Sequence, residues 1–383
     1  MAPEPSTSRA PTAPWHPPAG PDGAAAVTTV DAAPPPGTVP ARGTVPAAGS
    51  GRSVPEGYRH VGNSGLVVSE LAIGTAAFGR ANRIPGGQPA VDRIVRRALD
   101  LGITFFDTAD GYGDEPGVSE TMLGRALAGR RDEAIISTKF GTDLRGANGP
   151  DWNARGSRRY IRRAVEASLR RLGTDWIDLY QIHVPDRTTP IEETLSTLDD
   201  LVREGKIRYA GSSNFAAWEI ADAHHTARAR GLRPLVSAQH EYNLLWRAPE
   251  AEILPAVAAY GLGLLAYFPL QNGLLTGKYA RTSAPADGKV TRFKPHLLRD
   301  APWDELEAFA EYARVRGLTG VHLAYGWLLA QPHVASVITG VTSVAQLEAN
   351  VAAARWRPSS TEVDEIGRLF RTQISGRPGR TTT

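Results

Sequence analysis

The sequence predicts a parallel eight-stranded β/α barrel, a TIM barrel, and three observations carry that reading. Eight short apolar runs of strand length recur along the chain, and helical patterns fill the gaps between them. The first run is followed by Gly74-Thr75-Ala76-Ala77-Phe78-Gly79, which lacks the G-x-G-x-x-G fingerprint of a doubly wound sheet. Chemically active side chains gather at the carboxyl ends of the runs, where such a barrel keeps its active site.

Residues 1–52 stand apart from the rest. They hold 12 of the 29 prolines, with Pro34-Pro35-Pro36 in series, and show no apolar period. That composition predicts a disordered, partly polyproline-II extension, and leaves 53–383 as the barrel domain. A signal peptide is not expected, because the start is not basic and the apolar cluster Ala24 to Val27 is too short. Next, Tyr58-Arg59-His60-Val61, Asn63-Ser64-Gly65 and Leu66-Val67-Val68 read as a hairpin. Barrel strands are expected at Leu71–Thr75, Thr104–Thr108, Ala134–Lys139, Ile177–His183, Tyr209–Ser213, Leu235–His240, Gly263–Phe268 and Ala335–Thr339. Between them, Ile161, Val165, Leu169 and Leu172 mark one helical face. Ile191, Leu195, Leu198, Leu201 and Val202 mark another. The segment Gln271–Asp300, rich in Gly, Pro and basic residues, shows no period. It reads either as a lid or as a surface insertion.

Composition narrows the function. The formal net charge is only +3 over 383 residues, which argues against a nucleic-acid partner. Arg158, Arg159, Arg162, Arg163, Arg170 and Arg171 cluster with no aromatic stacking platform evident, and read as a solvated helix face. The absence of cysteine excludes disulfides, thiolate catalysis and Cys-ligated zinc, and fits a cytoplasmic location. No apolar run is long enough to predict a membrane span.

Lysine usage points to the site. Of 43 Lys and Arg residues only five are lysines: Lys139, Lys206, Lys278, Lys289 and Lys294. Lys139 ends the apolar run Ile135-Ile136-Ser137-Thr138-Lys139-Phe140-Gly141. A chain that uses arginine elsewhere keeps a lysine there for what only a compact ammonium can do in a low-dielectric pocket. Asp107 and Tyr112 lie at the end of another run, and His183 closes a third. Singly, each has an ordinary explanation: a turn-starting Asp, a loop-anchoring Tyr, a core His, a structural ion pair. One barrel mouth would hold all four. There the ammonium is expected to lower the Tyr112 phenol from about 10, Asp107 to orient Lys139, and His183 to hydrogen-bond a substrate oxygen. Those roles describe proton donation to a carbonyl oxygen. With no Cys nucleophile, metal cluster or carboxylate pair in the sequence, a cofactor hydride is the expected attacker at the carbon.

The motifs that carry these residues resemble the aldo-keto reductase family over about residues 57–370. They are Phe-Asp-Thr-Ala followed by Gly-Tyr-Gly, Ser-Thr-Lys-Phe-Gly, Asp-Leu-Tyr-Gln-Ile-His, Gly-Ser-Ser-Asn-Phe at 211–215 and Gln-His-Glu-Tyr-Asn at 239–243. Leu264 to Leu270 and Gly273 to Tyr279 match as well. The resemblance implies a catalytic tetrad of Asp107, Tyr112, Lys139 and His183, with Tyr112 as general acid. It implies that Ser213, Asn214 and Gln239 hold a nicotinamide carboxamide and that Tyr267 stacks on its ring. Gly74, Thr75, Asp107, Leu270, Lys278, Gly340, Thr342, Gln346 and Asn350 are the further cofactor contacts it implies. NADP is the expected cofactor, NAD the less favoured one, and the expected partner is a small carbonyl or alcohol substrate.

Two positions depart from the family pattern. Phe268 stands where relatives usually place a phosphate-contacting Ser. The segment Thr339 to Asn350 has none of the Lys or Arg that many relatives aim at an adenosine 2′-phosphate, leaving Gln346, Asn350 and the backbone at Thr342 and Ser343. Two other functions remain open at this stage. Potassium-channel β-subunits share this fold and tetrad and would make the chain a nucleotide-binding regulatory subunit. An aldolase would use Lys139 as a Schiff base.

Overall fold

The structure is a computed structural model and describes residues 54–370, apart from Asp287. The expectation about residues 1–52 therefore lies outside the described residues. A hairpin of β1 (Tyr58–His60) and β2 (Val67–Ser69) pairs antiparallel, Tyr58 opposite Ser69. Eight parallel strands follow: β3 (Leu71–Gly74), β4 (Phe105–Asp107), β5 (Ile135–Phe140), β6 (Ile177–Ile182), β7 (Ile207–Ser213), β8 (Ser237–Glu241), β9 (Gly263–Tyr267) and β10 (Val334–Gly340). They pair in chain order, and β10 returns to β3 with Val337 opposite Leu71, closing the barrel. The expected TIM barrel is thus the observed fold.

Helices α1 (Gly87–Asp100), α2 (Val118–Ala126), α3 (Arg158–Leu172), α4 (Ile191–Arg203), α5 (Ala217–Ala229) and α6 (Ile253–Tyr260) alternate with the strands. Beyond β9 come α7 (Lys289–Phe293), α8 (His296–Arg299), α9 (Trp303–Val315) and α10 (Gly320–Leu329), and beyond β10 come α11 (Val344–Ala354) and α12 (Ser360–Arg368). Both helical faces read from the sequence pack inward: Ile161, Val165, Leu169 and Leu172 on α3, and Leu195, Leu198 and Leu201 on α4. Ser157 caps α3 by accepting the Tyr160 amide, and Gly173 ends it in the left-handed conformation that lacks a Cβ penalty. The aperiodic segment after β9 is a 3-10 helix over Gln271–Thr276 plus the short α7 and α8. Leu274, Leu275, Tyr279, Val290 and Leu297 anchor it to the core. Among the described residues no helix is long and apolar enough to cross a membrane.

The barrel interior is graded from apolar to ionic. Side chains alternate along a strand, so residues two apart share its inner face. At the amino-terminal end, Ala72, Phe105, Leu179 and Leu265 pack against Val61, Leu66 and Val68 from the hairpin region. One level up, Gln181 donates to Ser137 Oγ at 2.8 Å and accepts from Ser237 Oγ at 3.1 Å. The next inward residues are Asp107, Lys139 and Gln239, at the carboxyl ends. The gradient buries charge only where the mouth begins.

Candidate active site

Lys139 is the hub of that last level. Its Nζ donates to Asp107 Oδ2 at 2.6 Å and to the Thr108 carbonyl oxygen at 2.9 Å, and stands 5.2 Å from the Tyr112 ring centroid. Both members of the ion pair are buried. Burial by itself pulls the ammonium pKa down, but Asp107 and the Tyr112 oxygen outweigh it, so Lys139 sits above its usual value and stays charged. Asp107 Oδ1 accepts from Gln239 Nε2 at 2.8 Å, which fixes the carboxylate from its other side.

The Tyr112 phenol departs from the sequence expectation. Burial raises its pKa, the Lys139 charge offsets only part of that rise, and the net direction is upward. The physical reason is loss of hydration around the buried phenol, to which the Asp107 charge adds by disfavouring a phenolate. The ring therefore holds its proton until a stronger base forms beside it. His183 meets Tyr112 edge-on, with centroids 5.8 Å apart and planes at 81°. Burial, then the Lys139 charge, push its imidazole down to about 3, so it is neutral at physiological pH. Its Nδ1 is buried without a partner.

The residues expected at the cofactor surround this centre. Asn214 adopts a left-handed φ of 61° just past β7, a conformation asparagine tolerates better than most residues. Its Nδ2 donates to the His183 carbonyl at 2.9 Å and to Ser213 Oγ at 3.1 Å, and its Oδ1 accepts from the Tyr267 hydroxyl at 2.9 Å. One side chain thus ties the ends of β6, β7 and β9. Ser213 Oγ donates to the Gln239 carbonyl oxygen at 3.0 Å. Tyr267 lies edge-on to Phe268, whose φ of 55° is left-handed.

Other expected contacts are placed differently. Thr75 is fully buried, with its hydroxyl 2.8 Å from Ser119 Oγ and 3.2 Å from the Asp107 carbonyl oxygen. Gly74 ends β3 beside Ile338 and Thr339. Leu270 packs against the core, and Lys278 Nζ lies over the Tyr279 ring at 5.2 Å. At the end of β10, Ser343 caps α11 by accepting the Gln346 amide. Gln346 Oε1 in turn accepts from the Thr342 amide and hydroxyl, both at 2.9 Å. These backbone donors are thus engaged by the chain's own side chains. Asn350 is buried against Thr339 Oγ1 at 3.1 Å.

The residues present fit a nicotinamide dinucleotide. Gln271 Oε1 and Asn272 Nδ2 are buried without partners a few residues past Tyr267. A side chain at Gly340 would meet nothing within 4 Å. Unfilled hydrogen-bonding groups and open space thus lie beyond the ends of β9 and β10. Sequence reading missed Gln271 and Asn272 because their segment has no period. The available signal was Gln-Asn-Gly, whose φ values of 42°, 59° and 107° suit a left-handed turn.

Comparison with known proteins agrees with this geometry. The model of the "Aldo/keto reductase family" matches residues 70–370. An uncharacterized oxidoreductase, YrpG, of Bacillus subtilis (strain 168) is 38% identical over 302 residues, covering 77% of this chain and 90% of that protein. The L-glyceraldehyde 3-phosphate reductase of Escherichia coli (strain K12) is 37% identical, covering 77% and 87%. A probable voltage-gated potassium channel subunit beta of Oryza sativa subsp. japonica is 34% identical, covering 85% and 98%. With a closed eight-stranded barrel, a buried lysine and aspartate at its mouth, and a family match across nearly all described residues, the chain belongs to the aldo/keto reductase family and is an oxidoreductase.

Proposed function

We propose that the chain reduces the carbonyl of an aldehyde, ketone or sugar with NADP(H), with Tyr112 as general acid. The observation that carries this reading is the charged, doubly anchored Lys139 facing the Tyr112 ring beside a neutral His183. When bound, the cofactor supplies a hydride. Ser213, Asn214 and Gln239 hold its carboxamide, Tyr267 supports its ring, and Asn272 with the backbone around Gly340 receives its phosphates. The neutral His183 imidazole donates a hydrogen bond to the substrate carbonyl oxygen and orients it toward Tyr112. As negative charge grows on that oxygen, the Tyr112 hydroxyl gives up its proton. The Lys139 ammonium then stabilises the phenolate that remains. Asp107 keeps Lys139 charged and in place throughout.

The test is oxidation of NADPH, followed by absorbance, over a panel of aldehydes, ketones and sugars that includes 4-nitrobenzaldehyde. Turnover that vanishes in Tyr112→Phe upholds the reading. Two relatives named as probable potassium channel subunits beta match over 97–98% of their own length, which favours a regulatory subunit as the second reading. Tight NADPH binding with no turnover across the panel would select it.

A further inference from the structure

The turn that carries Tyr112 is gripped from behind by a carboxyl that has no part in the chemistry above. Asp110 is fully buried just past β4. Its amide donates to the Lys139 carbonyl oxygen at 3.1 Å, and the Tyr112 amide donates to the Ala109 carbonyl oxygen at 3.1 Å. One short turn thus joins the Lys139 backbone to Tyr112. An aspartate in a turn often spends its side chain on a nearby backbone amide. Asp110 instead reaches a residue 38 positions on: Asn148 Nδ2 donates to its Oδ2 at 3.1 Å. Asn148 belongs to the loop of residues 141–157 between β5 and α3. The same loop packs on the next residue of the turn, because a Cβ at Gly111 would lie 3.2 Å from both Leu144 Cδ2 and Thr142 Oγ1. At its far end the loop is fastened to the segment after His183. The Gly156 amide donates to Asp186 Oδ2 at 2.6 Å, and the Thr188 hydroxyl donates to the Asn153 carbonyl oxygen at 3.0 Å. The loop therefore bridges the exit from His183 and the turn of Tyr112.

The surroundings of Asp110 are polar. Glu120 of α2, Tyr160 and Arg171 of α3, Lys139 of β5 and Tyr180 of β6 lie about it. The two cations among them are engaged elsewhere, Lys139 by Asp107 at 2.6 Å and Arg171 by Glu120 at 2.7 Å. Burial, then the Glu120 charge, push the Asp110 carboxyl well above the usual carboxylate range, which favours its neutral form. Asp110 Oδ1, Asn148 Oδ1 and the hydroxyls of Tyr160 and Tyr180 are buried without partners. Stability alone does not ask for such a cluster, since apolar groups of the same shape can replace a buried hydrogen-bonded pair at little cost. What the bond adds is direction. It fixes both a distance and an angle between the loop and the turn, which apolar contact does not.

We propose that Asp110 is a positioning residue for Tyr112, and that its bond to Asn148 sets where the phenol stands relative to His183 and the substrate carbonyl. The proposal rests on the reductase reading. The position needs an oxygen that accepts from Asn148, so an amide there serves as well as the carboxyl.

Wild type, Asp110→Ala, Asp110→Asn and Asn148→Ala are assayed by NADPH oxidation on whichever panel carbonyl the wild type turns over fastest. Asp110→Ala and Asn148→Ala should each lower kcat by about ten- to hundredfold, the loss expected of a misplaced catalytic group. KM and the Kd for NADPH, read by protein fluorescence, should change less than about threefold, because substrate and cofactor binding do not depend on the aim of the phenol. Asp110→Asn should keep kcat within about threefold of the wild type, since its amide oxygen still accepts from Asn148. If Asp110→Ala fails to fold, Asn148→Ala carries the same comparison from the loop side. An unchanged kcat in the alanine variants, a loss confined to KM, or an Asp110→Asn as damaging as Asp110→Ala overturns the proposal. If the wild type reduces nothing on the panel, the reductase reading fails, and amide hydrogen exchange decides the positioning role alone. The Tyr112 amide should then exchange at least about tenfold faster in the alanine variants and at the wild-type rate in Asp110→Asn, while amides of β6 and β7 keep their rates. An unmoved Tyr112 amide, or acceleration spread evenly over the barrel, overturns it.

Discussion

Lys139→Met, Asp107→Asn and the combination of both should separate what this ion pair does for folding from what it does for catalysis. The two charges are 2.6 Å apart, with side-chain exposures of 0% and 4%. At an effective dielectric near 20, that separation corresponds to a Coulomb attraction of about 6 kcal/mol. Desolvation of both ions cancels several kcal/mol of it, so the pair adds little net stability, whereas either charge left alone is costly. Lys139→Met leaves the Asp107 carboxylate with Gln239 as its remaining side-chain donor. Asp107→Asn leaves the ammonium with the Thr108 carbonyl and Tyr112. Each single change should destabilise by about 3–5 kcal/mol, and the double by much less than their sum. Urea unfolding of the four proteins, with equal m-values as a check, gives the coupling energy. Activity should behave oppositely: both Lys139→Met and the double variant should lose about 10²–10⁴-fold in kcat, because neither keeps a cation beside the Tyr112 phenolate. Stability losses that simply add, or a double variant with restored turnover, would refute the reasoning.

Four further outcomes follow from the geometry. Tyr112→Phe should lower kcat by about 10²–10⁴-fold while the Kd for NADPH, measured by fluorescence, stays within about threefold. Burial, then the Lys139 charge, hold the folded His183 imidazole down to about 3 against its ordinary value of about 6.5, so the unfolded state binds the extra proton between those pH values. Stability from this group is complete above about pH 6.5 and is lost as pH falls, by up to about 1.4 kcal/mol per unit, and His183→Gln should flatten that slope in denaturant titrations at pH 7 and pH 5. Gln346→Arg should raise the ratio of kcat/KM for NADPH over NADH, by about tenfold, because it adds a charge-assisted partner for a 2′-phosphate; an unmoved ratio would place that phosphate elsewhere. Gly124→Ala should lower the unfolding free energy by about 1–3 kcal/mol, since its methyl would be forced onto the Leu172 carbonyl oxygen where α2 crosses α3, and an unchanged midpoint would show that the helices can part freely.

Much of the barrel was legible because each strand is buried on both faces and reads as an apolar run bounded by turns. All eight expected strands are present, with ends displaced by at most two residues. Strand β7 begins at Ile207 rather than Tyr209 because Ile207 pairs with Ile177, a cross-strand fact with no local signal. Asp107, Tyr112, Lys139 and His183 converge because strand-end position is itself readable. The direction of the Tyr112 shift was not, since it depends on how deeply the closed fold buries the phenol. The bond from Gln239 to Asp107 spans 132 residues, and the meeting of Arg83 and Arg292 on Phe293 spans the fold. Both are properties of closure, which composition and period do not encode.

The hairpin makes the family match a poor guide to where the chain can be cut. The match starts at residue 70. Val61, Leu66 and Val68, all upstream of it, fill the same interior compartment as Phe105, Leu179 and Leu265. The Asn63 amide also donates to the Gly261 carbonyl at 2.8 Å, which seats the hairpin against the turn that leads into β9. A protein trimmed to residue 70 would keep every barrel strand and every catalytic group and still lose its floor. Solvent would then reach the apolar level from below, two layers beneath Lys139, and the dry surroundings that hold His183 neutral would be opened from the end of the barrel opposite the substrate.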